Sequence, residues 1–139
     1  MSCVSAARPL LAPGTALPER MKNFDLATTL ERFGGDGAIL LRVLRAFADD
    51  FRTWQADAEA ACAAEDWVRL KSLAHSLKGG AGGAGAHLCE EAARQLDDAL
   101  REVHATGERD YVALAALTDQ ACNALDATLG ELRSRLEGE

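Results

Sequence analysis

Aromatic residues are scarce in this chain, at 5% of 139 residues, and there are only three prolines. All three prolines (Pro9, Pro13, Pro18) fall in the first 18 residues. Proline lacks an amide hydrogen and clashes inside a helix, so the remaining length is free of strong helix breakers other than glycine. No run of 18 apolar residues occurs, which argues against a membrane-spanning helix. An apolar signal-peptide core is also missing, because Pro9, Pro13, Gly14 and Pro18 interrupt the N-terminus. Positive charge is in deficit, with 15 Lys and Arg against 22 Asp and Glu and a net charge of −7. An acidic surface repels nucleic acid and anionic membranes, so neither is expected as a partner. The four cysteines (Cys3, Cys62, Cys89, Cys122) form no C-x-x-C pair. They read as reduced thiols of a cytoplasmic protein rather than as disulfides or metal ligands.

What the chain has is a helical composition: 48% hydrophobic residues, dominated by Ala and Leu, which lead the helix-propensity ranking. Residues 1–22 read as a flexible tail, with Met21 as an alternative start, and residues 23–139 as one helical domain. A short first helix spans about Asp25 to Phe33. Gly34-Gly35 ends it and Asp36 can cap the second. The second carries Leu40, Leu44, Phe47, Phe51 and Trp54 at alternating spacings of three and four, and is expected to run to Cys62–Ala64. The third is capped by Glu65 or Asp66 and runs from Trp67 to about Gly82. The fourth spans about Ala86 to Val103, with Leu88, Ala92, Leu96, Ala99 and Val103 as its stripe. A last helix carries Tyr111, Leu114, Ala121, Leu125, Leu132 and Leu136. No segment alternates with period two long enough for a strand. The expected fold is all-α: an antiparallel up-down four-helix bundle with a short extra N-terminal helix. Val43, Leu117 and Leu129 lie off the main stripes and suit either second-face core or a dimer seam. A monomer is the default expectation.

The third helix holds the most informative face. At 100° per residue with His75 at zero, Trp67, Leu70, Leu73, Ala74, Leu77 and Ala81 fall between about 160° and 280°. Within about 60° of His75 lie Val68, Lys71, Ser72, Lys78, Gly79 and Gly82. His75 therefore faces solvent in mid-helix, beside two lysines and two glycines. A glycine inside a helix costs about 1 kcal/mol relative to alanine, and Gly79 sits one turn from His75, where a Cβ would crowd an approaching partner. Lys78 at i+3 can reach a charge on the imidazole, and Lys71 at i−4 adds to that field. An imidazole in water is largely neutral, and so nucleophilic, at pH 7. Chance clustering of surface His, Lys and Gly is the competing explanation, and would make the chain a catalytically silent helical interaction module.

Two other readings fit less well. A metal site built from His75, His87 and His104 lacks the i, i+3 or i+4 spacing of bundle metal pairs; no metal is expected. The glycine-rich run from Gly79 to Ala86 lacks the preceding strand of an anion-binding loop.

The segment His75-Ser76-Leu77-Lys78-Gly79, followed by Gly85-Ala86, resembles the signature of histidine phosphotransfer (HPt) domains, in which H-x-x-K-G is followed six residues later by G, commonly G-A. Phe24-Asp25-Leu26, Leu30 and Phe33-Gly34-Gly35-Asp36 look like that family's first helix and turn, and Ala64-Glu65-Asp66-Trp67 like the start of its active helix. The resemblance covers residues 23 to about 136. It implies a phosphocarrier in which His75 takes the phosphoryl group, Lys78 and Lys71 steady it, and Gly79, Ser72, Val68 and Gly82 leave room for docking. The implied partners are receiver domains of a hybrid sensor kinase or response regulator, with Mg²⁺ held by the receiver and no cofactor bound by this chain. No ATP-binding motif is present, so kinase activity is not expected. Asp97 falls where some members place a Gln or Glu that reaches the site; an anion there opposes a phosphoryl group, so Asp97 is not counted as a ligand. Two departures, Gly80 in place of Ser or Ala and Ala84 in place of a larger aliphatic residue, together with Gly83, predict an under-packed end to the active helix.

Overall fold

In a computed structural model of the protein, residues 17, 18 and 20–136 are described. The described residues form six helices and no strand: α1 Leu26–Arg32, α2 Gly37–Asp50, α3 Trp54–Ala63, α4 Trp67–Ala84, α5 His87–Thr106 and α6 Tyr111–Leu136. Short acidic side chains start four of them. Asp25 accepts from Thr28 N, Asp36 from Ala38 N and Ile39 N, Asp66 from Arg69 N, and Asp110 from Ala113 N. Each satisfies amide hydrogens that the first helical turn leaves unpaired. Glycines in left-handed conformation close α4 at Gly85 and α5 at Gly107.

The single second helix expected from the stripe is two helices. The chain turns at residues 51–53, and the break puts two aromatic residues to use. Phe51 lies over α4 beside Gly80, and Trp54 turns inward, where its indole N–H donates to Leu73 O at 2.8 Å. Helix α4 runs two residues past Gly82 to Ala84. The stripe on α5 is rotated by one position from expectation: Cys89, Ala93, Leu96, Asp97 and Leu100 are buried, whereas Leu88 is exposed. Tyr111 is likewise exposed.

One core joins these elements. α4 contributes Leu70, Ala74, Leu77 and Ala81, all fully buried, and packs most extensively against α5. The α2 and α3 residues Leu40, Leu44, Phe47 and Trp54 and the α6 residues Leu114, Ala121 and Leu125 complete it. Val43, Leu117 and Leu129 pack against this core as partly buried residues. Cys62, Cys89 and Cys122 are buried and unpaired, while Cys3 lies outside the described residues. Burial pushes the Cys89 thiol up to about 12 and the Cys122 thiol to about 11, which makes both poor nucleophiles at neutral pH. Most of the expected tail also lies outside the described residues. Within what is described, Leu17 packs against the core, Met21 is buried in it, and Asn23 N donates to Glu131 of α6 at 2.8 Å.

The expected slack at the end of α4 is absent at Gly80. A Cβ there would lie 2.4 Å from Phe51 Cε2 and 2.5 Å from Cζ. Phe51 is itself buried and packed at a tilt against Phe47, with ring centroids 5.2 Å apart. Gly80→Ala gains about 1 kcal/mol of helix propensity but forces a packed ring to move, which costs about 1–3 kcal/mol. A net loss of about 1 kcal/mol is expected in urea denaturation. In a Phe51→Leu background, which removes the obstructing ring, the same change should be neutral or stabilising.

Candidate functional site

The solvent-facing side of α4 carries the residues singled out from sequence. Helix α4 is continuous across His75 because Asp66 caps it and its inner face is Leu and Ala. His75 stands in mid-helix with 68% of its side chain exposed. Val68 is 80% exposed two turns below, and Ser72 is exposed beside it. At Gly79 a Cβ would meet nothing within 4 Å, so the space above the imidazole is open. Gly82 differs. A Cβ there would come within 3.0 Å of Glu90 Oε2, and its carbonyl accepts from Arg32 at 3.1 Å. Gly82 therefore abuts α5 and α1 rather than open solvent.

Lys78 does not extend freely into solvent. Its Nζ donates to Asp97 Oδ2 at 3.0 Å, and its side chain is 23% exposed. The same oxygen accepts from Arg101 at 2.9 Å and lies 3.8 Å from His75 Nδ1. Asp97 is fully buried, and its other oxygen, Oδ1, has no hydrogen-bond partner among the described residues. Burial raises the Asp97 carboxyl. The Lys78 hydrogen bond and the charges of Lys78, Arg101 and Lys71 lower it more, and the group stays below the ordinary aspartate range. Lys71, one turn from His75, is half-buried and contributes to that field.

Neither Asp97 nor Arg101 is among the site residues expected from the sequence. Both follow once the inner stripe of α5 is taken as Cys89, Ala93, Leu96 and Leu100. Asp97 sits between Ala93 and Leu100 on the buried side of α5, and an acidic residue at a core position demands a cation. Arg101 is four residues further on, on the same helix face. Lys78, from the neighbouring helix, is a contact that periodicity within one helix does not reveal.

The arrangement combines an exposed imidazole, a carboxylate on its Nδ1 side, two cations sharing that carboxylate, and an unobstructed approach over Gly79. It suits transfer of an anionic group to and from a ring nitrogen. Among the described residues no three His, Cys, Asp or Glu side chains converge as a metal site, so none is built from His75, His87 and His104. Residues 79–84 of the glycine-rich run are helical, so they form no loop. Among the described residues no helix is long and apolar enough to cross a membrane.

The family model of the Hpt domain matches residues 42–135, more than half of the chain, and the chain belongs to that family. Hpt domains are histidine phosphotransfer modules of phosphorelays and interact with receiver domains. Comparison with curated proteins and with solved structures returns no match.

Proposed function

We propose that this chain is a histidine-containing phosphocarrier that accepts a phosphoryl group on His75 from a receiver-domain aspartate and passes it to another receiver. The observation that carries the reading is His75 itself: a mid-helix imidazole 68% exposed, with Lys78 beside it and no side chain at Gly79 to block approach. The reading takes residues 23–139 as the carrier domain. Within it, α2 with α3, α4, α5 and α6 are an antiparallel up-down four-helix bundle, and α1 is the short N-terminal extra. It places the protein in the cytoplasm, as a monomer, without ATP-dependent kinase activity and without nucleic acid or membrane as a partner.

In the proposed step, His75 Nε2 attacks the phosphorus of the aspartyl phosphate in line. The N–P bond forms as the aspartate O–P bond breaks, and the carboxylate leaves with its electron pair. Nδ1, on the side of Asp97, keeps the proton. The receiver supplies Mg²⁺ and a lysine to stabilise the equatorial oxygens. Lys78, with Lys71 and Arg101 close by, offsets the charge once it rests on the imidazole. The step is close to symmetric, and reversal onto a second receiver completes the relay.

The test is phosphoryl transfer in vitro from a panel of phosphorylated receiver domains with Mg²⁺, following acid-labile phosphate. The wild type should become labelled and His75→Gln should not. Gly79→Gln should fold normally and accept phosphate about tenfold more slowly, since a side chain would stand where the receiver approaches. If no receiver labels the wild type, the protein is a silent helical interaction module.

A further inference from the structure

Two depressions flank the turn between α5 and α6, and they differ in charge. One, of about 360 Å³, is lined by Glu102, Glu108 and Asp110 with Arg109. The other, of about 230 Å³, lies between the start of α4 and the end of α5, and its polar lining is Lys71, His104 and Arg109, with no carboxylate. Its walls are apolar: Trp67, Val68, Leu100 and Val103. Trp67 is held in place by Tyr111, whose ring meets it edge-on at 5.8 Å between centroids. Of the five large hydrophobic residues exposed among the described residues, three are at this end of the molecule: Val68 at 80%, Val112 at 78% and Tyr111 at 43%. A basic, apolar-walled groove is conspicuous on a chain of net charge −7.

The groove is continuous with the His75 face. Val68 is seven residues from His75, about 10 Å along the α4 axis and about 20° around it. Lys71 lies between them and belongs to both. A standard interface buries about 800 Å² on each partner, a disc of about 16 Å radius. A protein centred on His75 therefore covers this groove.

We infer that the groove bounded by Trp67, Val68, Val103, His104 and Arg109 is a docking subsite for the receiver domain, and that it takes an apolar anchor side chain flanked by carboxylates. The inference rests on the phosphocarrier reading. The anchor fills the apolar floor, where a rigid aromatic wall loses little entropy on binding. Carboxylates beside it meet Lys71 and Arg109, which steers the encounter and holds the receiver on the face that carries His75. The acidic depression across the turn is unsuited to such a partner, so the partner leans toward the start of α4.

The test uses the full chain and the receiver domains of the transfer panel. Val68→Asp and Arg109→Glu alter exposed side chains, and circular dichroism should show wild-type folding and melting. Each should raise KM for the phosphorylated receiver about tenfold with kcat unchanged. Labelling of His75 by phosphoramidate, a donor too small to use the groove, should be unchanged in Arg109→Glu. Arg133→Glu makes the same charge change at the far end of α6 and should leave KM as it was. The groove is overturned if Arg109→Glu leaves KM unaltered, or if Arg133→Glu raises it equally, which would mark a bulk charge effect. A dimer in sedimentation that Val68→Asp dissociates, with KM unchanged, would assign the groove to a second copy and also overturn the inference. If phosphoramidate labels His75 but no receiver does, the phosphocarrier reading itself fails and the groove falls with it.

Discussion

Gly85→Ala should be the most destabilising single-methyl change available in this protein, costing about 3 kcal/mol or more. Two independent penalties add. Gly85 has φ of +77°, a left-handed conformation that closes α4. Alanine in that region costs about 1–2 kcal/mol. The position is also enclosed: a Cβ would lie 2.0 Å from Thr29 Oγ1, 3.1 Å from Thr29 Cβ and 3.2 Å from the Asp25 carbonyl oxygen. Thr29 cannot rotate away without cost, because its hydroxyl donates to Asp25 O at 2.7 Å inside a buried contact. The amide of Asp25 donates to Gly85 O at 2.9 Å, so the methyl would pry apart the junction of α1 and α4. Against a total stability of about 5–15 kcal/mol, the urea midpoint should fall by about 1–2 M. Gly107 makes the contrast. Its φ is +76° but nothing lies within 4 Å of a Cβ, so Gly107→Ala should show only the backbone penalty. Equal losses at the two positions would mean that the packing against Thr29 contributes nothing.

The same junction shows what a sequence can and cannot disclose here. Gly85 was legible as the second glycine of a signature, but its reason is Thr29, 56 positions earlier in the chain. Gly80 is similar. It read as slack in the helix, whereas Phe51 from another helix fills the space. The His75 face was legible because period 3.6 separates it cleanly from Leu70, Ala74, Leu77 and Ala81, and large aliphatic residues mark an inner face without ambiguity. On α5 the markers are weaker. Alanine and cysteine pack inward as readily as Leu88 would, and the stripe was displaced by one residue. The break between α2 and α3 was hidden because Phe47, Phe51 and Trp54 satisfy one continuous helix as well as two. The caps Asp36 and Asp66 were legible because they act within three residues. Contacts within a turn can be read along the chain; Lys78 with Asp97, or Phe51 with Gly80, depend on which helices become neighbours.

Asp97→Asn should lower both stability and the rate of transfer to His75, and the stability loss should depend on pH in a way that identifies its cause. The carboxylate is fully buried and accepts from Lys78 and Arg101 through one oxygen. Asparagine keeps the shape but removes the charge, and a charge-assisted hydrogen bond is worth about 1.5–3 kcal/mol. Arg101 is half exposed and can be rehydrated, which moderates the loss; about 1–2 kcal/mol is expected at pH 7. Burial raises the Asp97 carboxyl, and the Lys78 hydrogen bond with the charges of Lys78, Arg101 and Lys71 lowers it further than burial raises it. The folded value therefore lies below the unfolded one. The stabilisation is complete above the ordinary aspartate range, about pH 4, and is lost as pH falls through the lower folded value. The gap between wild type and Asp97→Asn in urea unfolding should thus be largest at neutral pH and narrow in acid; a gap that widened in acid would show that the neutral carboxyl, not the charged one, is what the fold uses. Transfer should fall by about tenfold, the scale on which removing the group that orients a histidine acts. The carboxylate stands 3.8 Å from His75 Nδ1 and holds Lys78 beside the ring. It favours a proton on Nδ1, which leaves Nε2 as the nucleophile, and it keeps the lysine where the phosphoryl group arrives. An anion in this position opposes phosphate only when Lys78 and Arg101 are left out of account. Lys78, Arg101 and Lys71 outnumber Asp97 and Asp98, which also meets Arg101 at 3.8 Å, so the cluster keeps net positive charge and Asp97 serves to place it next to His75.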